Sequence, residues 1–254
     1  MNRTDSVAVL DKALDLLECL LKRPDQTVAE LAQATEVTKA AAYRILSTLE
    51  RRGYVATYER VRRYSIGHAL RAYAQAADGP DRLIDAARPA MRALWEETGE
   101  TVNLAVLAQG GVLYVDVLES GQGLRATANI GALDALHSTA LGKSMLALMP
   151  PPERESVLAE AKLVSRTAHT ETDPARLREA IERAAHFGYA IDDEENELGM
   201  RCVAAPIVNS DGWPLAAISV SGPSSRMSHD AIARIGPRLS QACAEVCGRL
   251  TKAG

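Results

Sequence analysis

The sequence predicts an α+β protein with an N-terminal winged helix-turn-helix domain, a linker helix and a C-terminal mixed α/β domain. Three observations lead there. Three amphipathic helical segments crowd into the first 53 residues and are followed by a basic stretch of period two. The trio Asp78-Gly79-Pro80 then interrupts the chain, and beyond it apolar strand runs alternate with helical ones. Charge divides at the same place. Residues 1–77 hold 12 basic and 9 acidic side chains, a balance of +3, whereas the remainder holds 17 and 24, a balance of −7.

The first helix, in SVAVLDKALDLLECLLK, carries Val7, Leu10, Leu14, Leu17 and Leu21 at spacings of three and four. Arg23-Pro24-Asp25 ends it, because proline cannot continue the ladder. Thr27 caps a second short helix, and Glu30 three residues later completes a capping box. After a short turn at Glu36-Val37, Thr38 caps a third helix that runs to Arg52 and stops at Gly53. Ala42, Ile45, Leu46 and Leu49 form its apolar stripe; Lys39, Ala40, Tyr43, Arg44 and Ser47 fall on or near the opposite face. YVAT and RRYSI flank the polar Tyr58–Val61 in a hairpin pattern, and HALRAYAQAA reads as a connecting helix.

Beyond the break, RLIDAARPAMRALWEETG is a helix closed by Gly99. VNLAVLA, VLYVDVLE and LRATANI read as strands. Ser138 or Thr139 opens a helix through LGKSMLALM that Pro150-Pro151-Pro152 closes, and PARLREAIERAAHFG is a further helix leading into the strand YAIDD. CVAAPIV and LAAISVS are apolar strands around a turn at Asn209–Gly212, and SHDAIARIGPRLSQACAEVCGRL is a final helix with a bend or an interruption expected near Gly236-Pro237. The expected domains are 1–67, a linker at 68–80, and 81–254.

Composition excludes several classes. Apolar residues at 47% and charged residues at 24% are ordinary for a globular chain, and no apolar run approaches the roughly 20 residues that span a bilayer. The N-terminal apolar positions are interrupted by acids, unlike a secretory signal, so a cytoplasmic protein without membrane partners is expected. Four cysteines are too few for a disulfide scaffold. Cys243 and Cys247 lack a neighbouring histidine, and the acidic run Asp192–Glu197 reads as a solvated turn, with Asp192 the exception to watch. No metal or cofactor is expected. Gly-rich phosphate loop, G-x-S-x-G and HExxH motifs are all absent from the sequence, which speaks against an enzyme. A thiol nucleophile pair of Cys202 with His137 has no local signature, and His137 reads more simply as structural.

Within 38–63, seven basic residues stand against two acidic ones on a chain whose net charge is −4. A local cationic face on an acidic protein points to a polyanionic partner. A helix enters the major groove of double-stranded DNA only if its leading face is slim and its flanks reach phosphate. Ala40 and Ala41 keep the third helix slim. Lys39 and Arg44 supply donors to base edges or phosphates, with Tyr43 and Ser47 on the same side. Thr27 and Thr38, at the helix starts, are placed for backbone phosphate. Arg60, Arg62 and Arg63 carry the hairpin's charge toward neighbouring phosphates, a salt-sensitive contribution.

These motifs resemble the isocitrate-lyase-regulator (IclR) family of bacterial transcription factors along nearly the whole chain. The N-terminal half resembles it in TVAELAQATEVTKAAAYRILSTLERRGYV and RRYSIG, the C-terminal half in EETGETVNLAVL, LHSTALGKSMLA, GYAIDDEENELGMRCVAAPIV and AAISVSGPSSRM. Members often carry Ser and Thr where this chain has Ala40 and Ala41. The resemblance implies a transcriptional regulator, by default a repressor, whose GAF-like second domain binds a small organic-acid or aromatic-acid effector. It also implies a homodimer or a dimer of dimers. The family's pocket positions fall on Ala140, Leu141, Asp192, Cys202, Ser219 and Ser221. Bland roles stay open for each: a helix cap near Ser138 and Thr139, a small core thiol at Cys202, and backbone partners for the serines. A ligand-sensing module without DNA binding is the alternative function.

Overall fold

The computed structural model describes residues 7–58, 62–70, 80–108, 111–209 and 211–252, which fall in two compact units, Met1–Ala77 and Asp78–Gly254. Arg60 and most of the expected linker lie outside the described residues.

The first unit contains α1 (Ala8–Lys22), β1 (Gln26–Thr27), α2 (Val28–Ala34), α3 (Lys39–Arg51), β2 (Val55–Tyr58) and β3 (Arg63–Ile66). β3 lies between β1 and β2, antiparallel to both. The two-residue β1 is too short to leave a period in the sequence. The capping box of α2 is complete: Thr27 Oγ1 accepts from Glu30 N–H, and Glu30 Oε2 accepts from Thr27 N–H at 2.7 Å. Those bonds favour the ionised Glu30 and hold its carboxyl below the usual range. Glu36 turns the chain between α2 and α3 with φ of 55°, and Val37 returns its N–H to Ala32 and buries its side chain. Leu16, Leu20, Leu31, Ala42, Leu46, Val55 and Tyr64 make the core.

α1 therefore buries Leu16 and Leu20, while most of its sequence-evident stripe faces outward. Val7, Leu10, Leu14 and Leu21 are 58%, 60%, 56% and 66% exposed.

The second unit comprises α4 (Pro80–Thr98), β4 (Thr101–Ala108), β5 (Gly111–Leu118), β6 (Leu133–Ala135), α5 (Ala140–Leu148), α6 (Pro151–Glu160), α7 (Pro174–Phe187), β7 (Ala190–Asp193), β8 (Met200–Val208), β9 (Pro214–Pro223) and α8 (His229–Lys252). The six strands form one antiparallel sheet in the order β6-β5-β4-β9-β8-β7. Strand alternation sends Val102, Leu104, Val203, Ala205, Ile218 and Val220 to one face, under α4 and α8. Ala105, Ala204 and Ala217 go to the other face, under α5 and α7.

Three sequence expectations change. LRATANI is not a strand, because side chains satisfy its backbone in place of a neighbouring strand: Thr101 donates to Ala126 O at 2.6 Å and Arg226 to Leu124 O at 2.9 Å. Instead, Leu133–Ala135 forms the edge strand beside β5. Pro151 and Pro152 do not simply close α5; they begin α6, where a missing N–H costs nothing in the first turn. α8 is not interrupted at Gly236-Pro237 but continues through Pro237.

Leu46 has no exposure and sits at the centre of the first unit's core. Leu46→Ala is expected to lower stability by about 2–5 kcal/mol through reduced burial and a residual cavity. Urea unfolding followed by circular dichroism measures this.

Candidate DNA interface and effector pocket

The first candidate site is the outer face of α3. Lys39, Ala40, Tyr43 and Arg44 are exposed, Ala41 and Ser47 are half-buried, and the buried Ala42 and Leu46 anchor the opposite face. Thr38 caps the helix by accepting from Ala41 N–H at 3.4 Å. Among the described residues the Lys39 and Arg44 side chains form no ion pair, so their charges stand unneutralised. The hairpin arginines are differently placed. Arg62 donates to Tyr43 Oη at 2.8 Å, sits 5.8 Å over its ring, and approaches Glu50 at 4.0 Å. Glu50 and Tyr43 together push the guanidinium pKa upward. Arg63 reaches back to the Asp25 carbonyl at 2.6 Å. Thus Arg62 fastens the hairpin to α3, and Tyr43 spends its hydroxyl inside the unit. Thr27 is occupied by its capping box, leaving it half-buried.

The second candidate site is a small cavity on the α5 side of the sheet. Ala140, Leu141, Asp192, Cys202, Ser219 and Ser221 all line it. Its volume, about 30 Å³, has room for roughly one or two waters. Tyr114, Thr139 and Asn196 complete the wall. Thr139 caps α5 with its hydroxyl on Gly142 N–H and its carbonyl on Lys143 N–H, both at 3.1 Å. The N–H groups of Ala140 and Leu141, first in the helix, have no intrahelical acceptor and sit at the positive end of its dipole. Gly142 lets the helix start so deep: a Cβ there would lie 2.2 Å from the Leu136 carbonyl oxygen.

The turn Asp192–Glu197 is not the solvated acidic loop that its composition suggests. Glu194 adopts φ of 61°, which brings the N–H groups of Glu195 and Asn196 onto Asp192 Oδ1 at 2.8 and 3.2 Å. Glu195 pairs with the buried ammonium of Lys143, and Asp193 and Glu194 pair with Arg201. Burial dominates at Asp192, although Lys143 and the two N–H groups oppose it, and its carboxyl rises to about 7. Burial, reinforced by Asp192, also pushes the Cys202 thiol upward. A protonated thiol is no nucleophile, and His137 meets the Val164 carbonyl at 3.0 Å instead. Tyr114 is likewise held as the neutral phenol by burial, with Asp134 beside it.

Sequence reasoning missed one member of this cluster. Asn103, on β4 directly opposite Ser219, is buried and donates from Nδ2 to Ser219 Oγ at 3.0 Å and Ser221 Oγ at 3.3 Å. Its Oδ1 is buried without a partner, a cost of about 1–3 kcal/mol. The available signal was one amide inside the apolar run VNLAVLA. Asn196 was also missed; it ties Asp134 to Ser138 across the cavity wall.

The buried Asp192 carboxyl makes stability depend on pH. Its ordinary value is 3.8, so between pH 4 and 7 the unfolded chain ionises it while the folded one retains the proton. Stability from this group falls through that window and then levels off. Asp192→Asn keeps an oxygen for the two N–H groups and removes the titration. It is expected to stabilise the protein at pH 8 by on the order of 1–3 kcal/mol, with the gain vanishing toward pH 4. Urea titrations of both proteins at the two pH values decide it; a gain independent of pH would contradict the buried proton.

Comparison with known proteins joins both units to one family. The IclR helix-turn-helix domain family matches residues 9–58, and the family of bacterial transcriptional regulator IclR C-terminal domains matches residues 75–248. The HTH-type transcriptional regulator BhcR of Paracoccus denitrificans is 35% identical over 240 residues, covering 94% of this chain and 86% of its own. The transcriptional repressor IclR of Escherichia coli is 32% identical, with 96% of this chain and 90% of its own covered. The crystal structure of the Thermotoga maritima IclR superposes with a TM-score of 0.65 at 31% identity, covering 96% of this chain and 98% of that one. With α2 and α3 forming the matched DNA-binding motif and the six-stranded α/β unit forming the matched C-terminal domain, this chain belongs to the IclR family of transcriptional regulators.

Proposed function

We propose that this regulator is a homodimeric repressor that leaves its operator when a small organic acid enters the cavity beside α5. The single observation that carries the DNA half is the slim face of α3, where Ala40 and Ala41 separate the unneutralised charges of Lys39 and Arg44. Lys39 and Arg44 take the groove, with Ser47 alongside; Thr38 takes phosphate near the helix start; Arg63, which also pairs with Asp25 at 3.7 Å, and the charge that Arg60 adds to the same stretch of sequence supplement them. Tyr43 and Arg62 act chiefly by fixing the hairpin against α3. Thr27 acts through α2 as a cap more than by direct contact.

The effector half rests on the chemistry of the cavity wall. Two helix N–H groups, two serine hydroxyls and a carboxyl that keeps its proton near neutrality all favour a small oxyanion. The volume favours a compact acid over an aromatic one, which would have to displace α5 or the Asp192 turn. For an effector to release DNA it must bind the DNA-incompetent arrangement more tightly, and opening this wall is a physical difference on which such preference can act. No helix among the described residues is long and apolar enough to cross a membrane. A cytoplasmic location follows from the DNA partner. Residues 68–80 serve in this reading as the connector between the two domains.

The homodimer rests on α1. Val7, Leu10, Leu14 and Leu21 repeat at near-heptad spacing on a helix face that the first unit does not cover. Two copies joined there bring two α3 helices to half-sites about 34–36 Å apart, or a multiple of that distance. A dimer of dimers is the higher assembly that the family relation favours.

Three measurements test this reading. Replacing Lys39 and Arg44 together by Gln is expected to weaken operator binding at least 100-fold and to flatten the log–log salt slope by about 0.9 for each phosphate that is no longer neutralised. Binding to the region upstream of neighbouring genes with no salt dependence would overturn the phosphate-neutralising role of these two side chains. The double variant Leu10→Glu, Leu14→Glu is expected to shift sedimentation from dimer to monomer with unchanged helical content. In a melting-temperature screen, a selective small acid should raise the wild-type transition, and Ser219→Ala should reduce that rise.

A further inference from the structure

We propose that Asn103 is a positioning residue that fixes the hydrogen-bond polarity of the cavity, so that Ser219 and Ser221 face the effector as donors and select for an oxygen acceptor. This inference rests on the effector reading above and adds a determinant of specificity to it.

Hydrogen count sets the polarity. The Asn103 amide has two N–H donors, and the structure aims them at two serine oxygens, 3.0 and 3.3 Å away. The serines bring one O–H each and lie 3.3 Å from one another. One O–H can serve that mutual contact; Ser221 also bonds the Cys202 thiol, whose own S–H can supply that hydrogen, and one hydroxyl hydrogen is then left for the cavity that both serines line. Rotating the amide by half a turn would reverse this. Oδ1 would then accept from the serines, and two N–H groups would be stranded in place of one carbonyl oxygen. The observed orientation therefore leaves the smaller deficit.

Position and burial make the arrangement rigid. Asn103 and Ser219 are direct partners across the β4–β9 ladder, and Ser221 is paired with Thr101 two residues along. All three side chains of the triad are buried between the sheet and α5, beside a cavity with room for no more than one or two waters. The unpaired Oδ1 gives nothing to folding that an apolar side chain would not supply better. What the amide does supply is the polarity that its other end imposes on the serines.

The test compares pyruvate and lactate, probes of nearly equal size and equal charge. Pyruvate offers only acceptors at its second oxygen, whereas lactate offers a hydroxyl that can also donate. Binding is measured by calorimetry on the full-length wild-type protein, Asn103→Asp and Asn103→Leu. In Asn103→Asp the carboxylate accepts from both serines and turns their lone pairs to the cavity. Affinity for both acids falls from charge, and the pyruvate-to-lactate ratio shifts at least ten-fold toward lactate, a ratio in which the shared charge cancels. In Asn103→Leu the unliganded protein melts at or above the wild-type temperature, yet pyruvate binding weakens at least ten-fold.

If wild type binds one of these acids and Asn103→Leu binds it equally well, the inference is overturned while the effector pocket stands. If Asn103→Asp folds and its ratio is unmoved, it is overturned in the same way. Should Asn103→Asp fail to fold, Asn103→Leu alone decides. If neither probe nor any other small carboxylate binds wild type, the effector reading itself falls, and this inference with it.

Discussion

Strand β9 has water on neither side, and the rest of the second unit follows from that constraint. Ile218 and Val220 enter the core beneath α4 and α8, while Ala217, Ser219 and Ser221 turn to the opposite layer. On a strand covered on both faces, hydroxyls cannot be satisfied by solvent and must find partners across the ladder. Asn103 on β4 and Cys202 on β8 occupy the flanking positions, opposite Ser219 and Ser221 respectively. A polar cluster thus sits at the centre of an antiparallel sheet, held by register. α5 closes it from above, with Ala140 and Leu141 of its first turn in the cavity wall.

The neighbouring turn shows how much local structure serves one carboxyl. Glu194 in the left-handed region is unusual for a side chain of its size, and the return is two N–H groups delivered to Asp192. The same turn is stapled from outside. Thr167 donates to the Glu194 carbonyl at 2.8 Å, Thr170 to the Glu195 carbonyl at 2.6 Å, and Arg166 to Asn196 Oδ1 at 2.5 Å. The cavity's outer wall therefore depends on the segment between α6 and α7. These three bonds tie the Asp192 turn to that segment.

Much of this was legible from residues alone, and what was not has physical reasons. Helix starts were the clearest, because Thr27, Thr38 and Thr139 cap by short-range chemistry that leaves a local signature. Strand LRATANI failed because period and propensity say nothing about who satisfies a backbone; Thr101 and Arg226 do so here from distant positions. α6 leaves no separate signal in the sequence, because three successive prolines mark the end of one helix and the start of the next equally well. At the site, six pocket positions came from family resemblance, and register explains why Cys202, Ser219 and Ser221 meet. Asn103 and Asn196 were invisible, since their roles depend on partners 116 and 62 residues away. On α3 the exposed face followed from helical period, but the capture of Arg62 by Tyr43 required the hairpin's actual path.

The small volume beside α5 has a consequence for sensitivity. Anything bulkier than a pair of waters can lodge there only in the fraction of molecules whose wall has already parted, or after parting it. The apparent dissociation constant is the intrinsic one divided by that fraction. Under the proposed effector reading, a tight interior thus weakens the apparent affinity, so that scarce metabolite would leave the gene-control state undisturbed and an abundant pool would tip it.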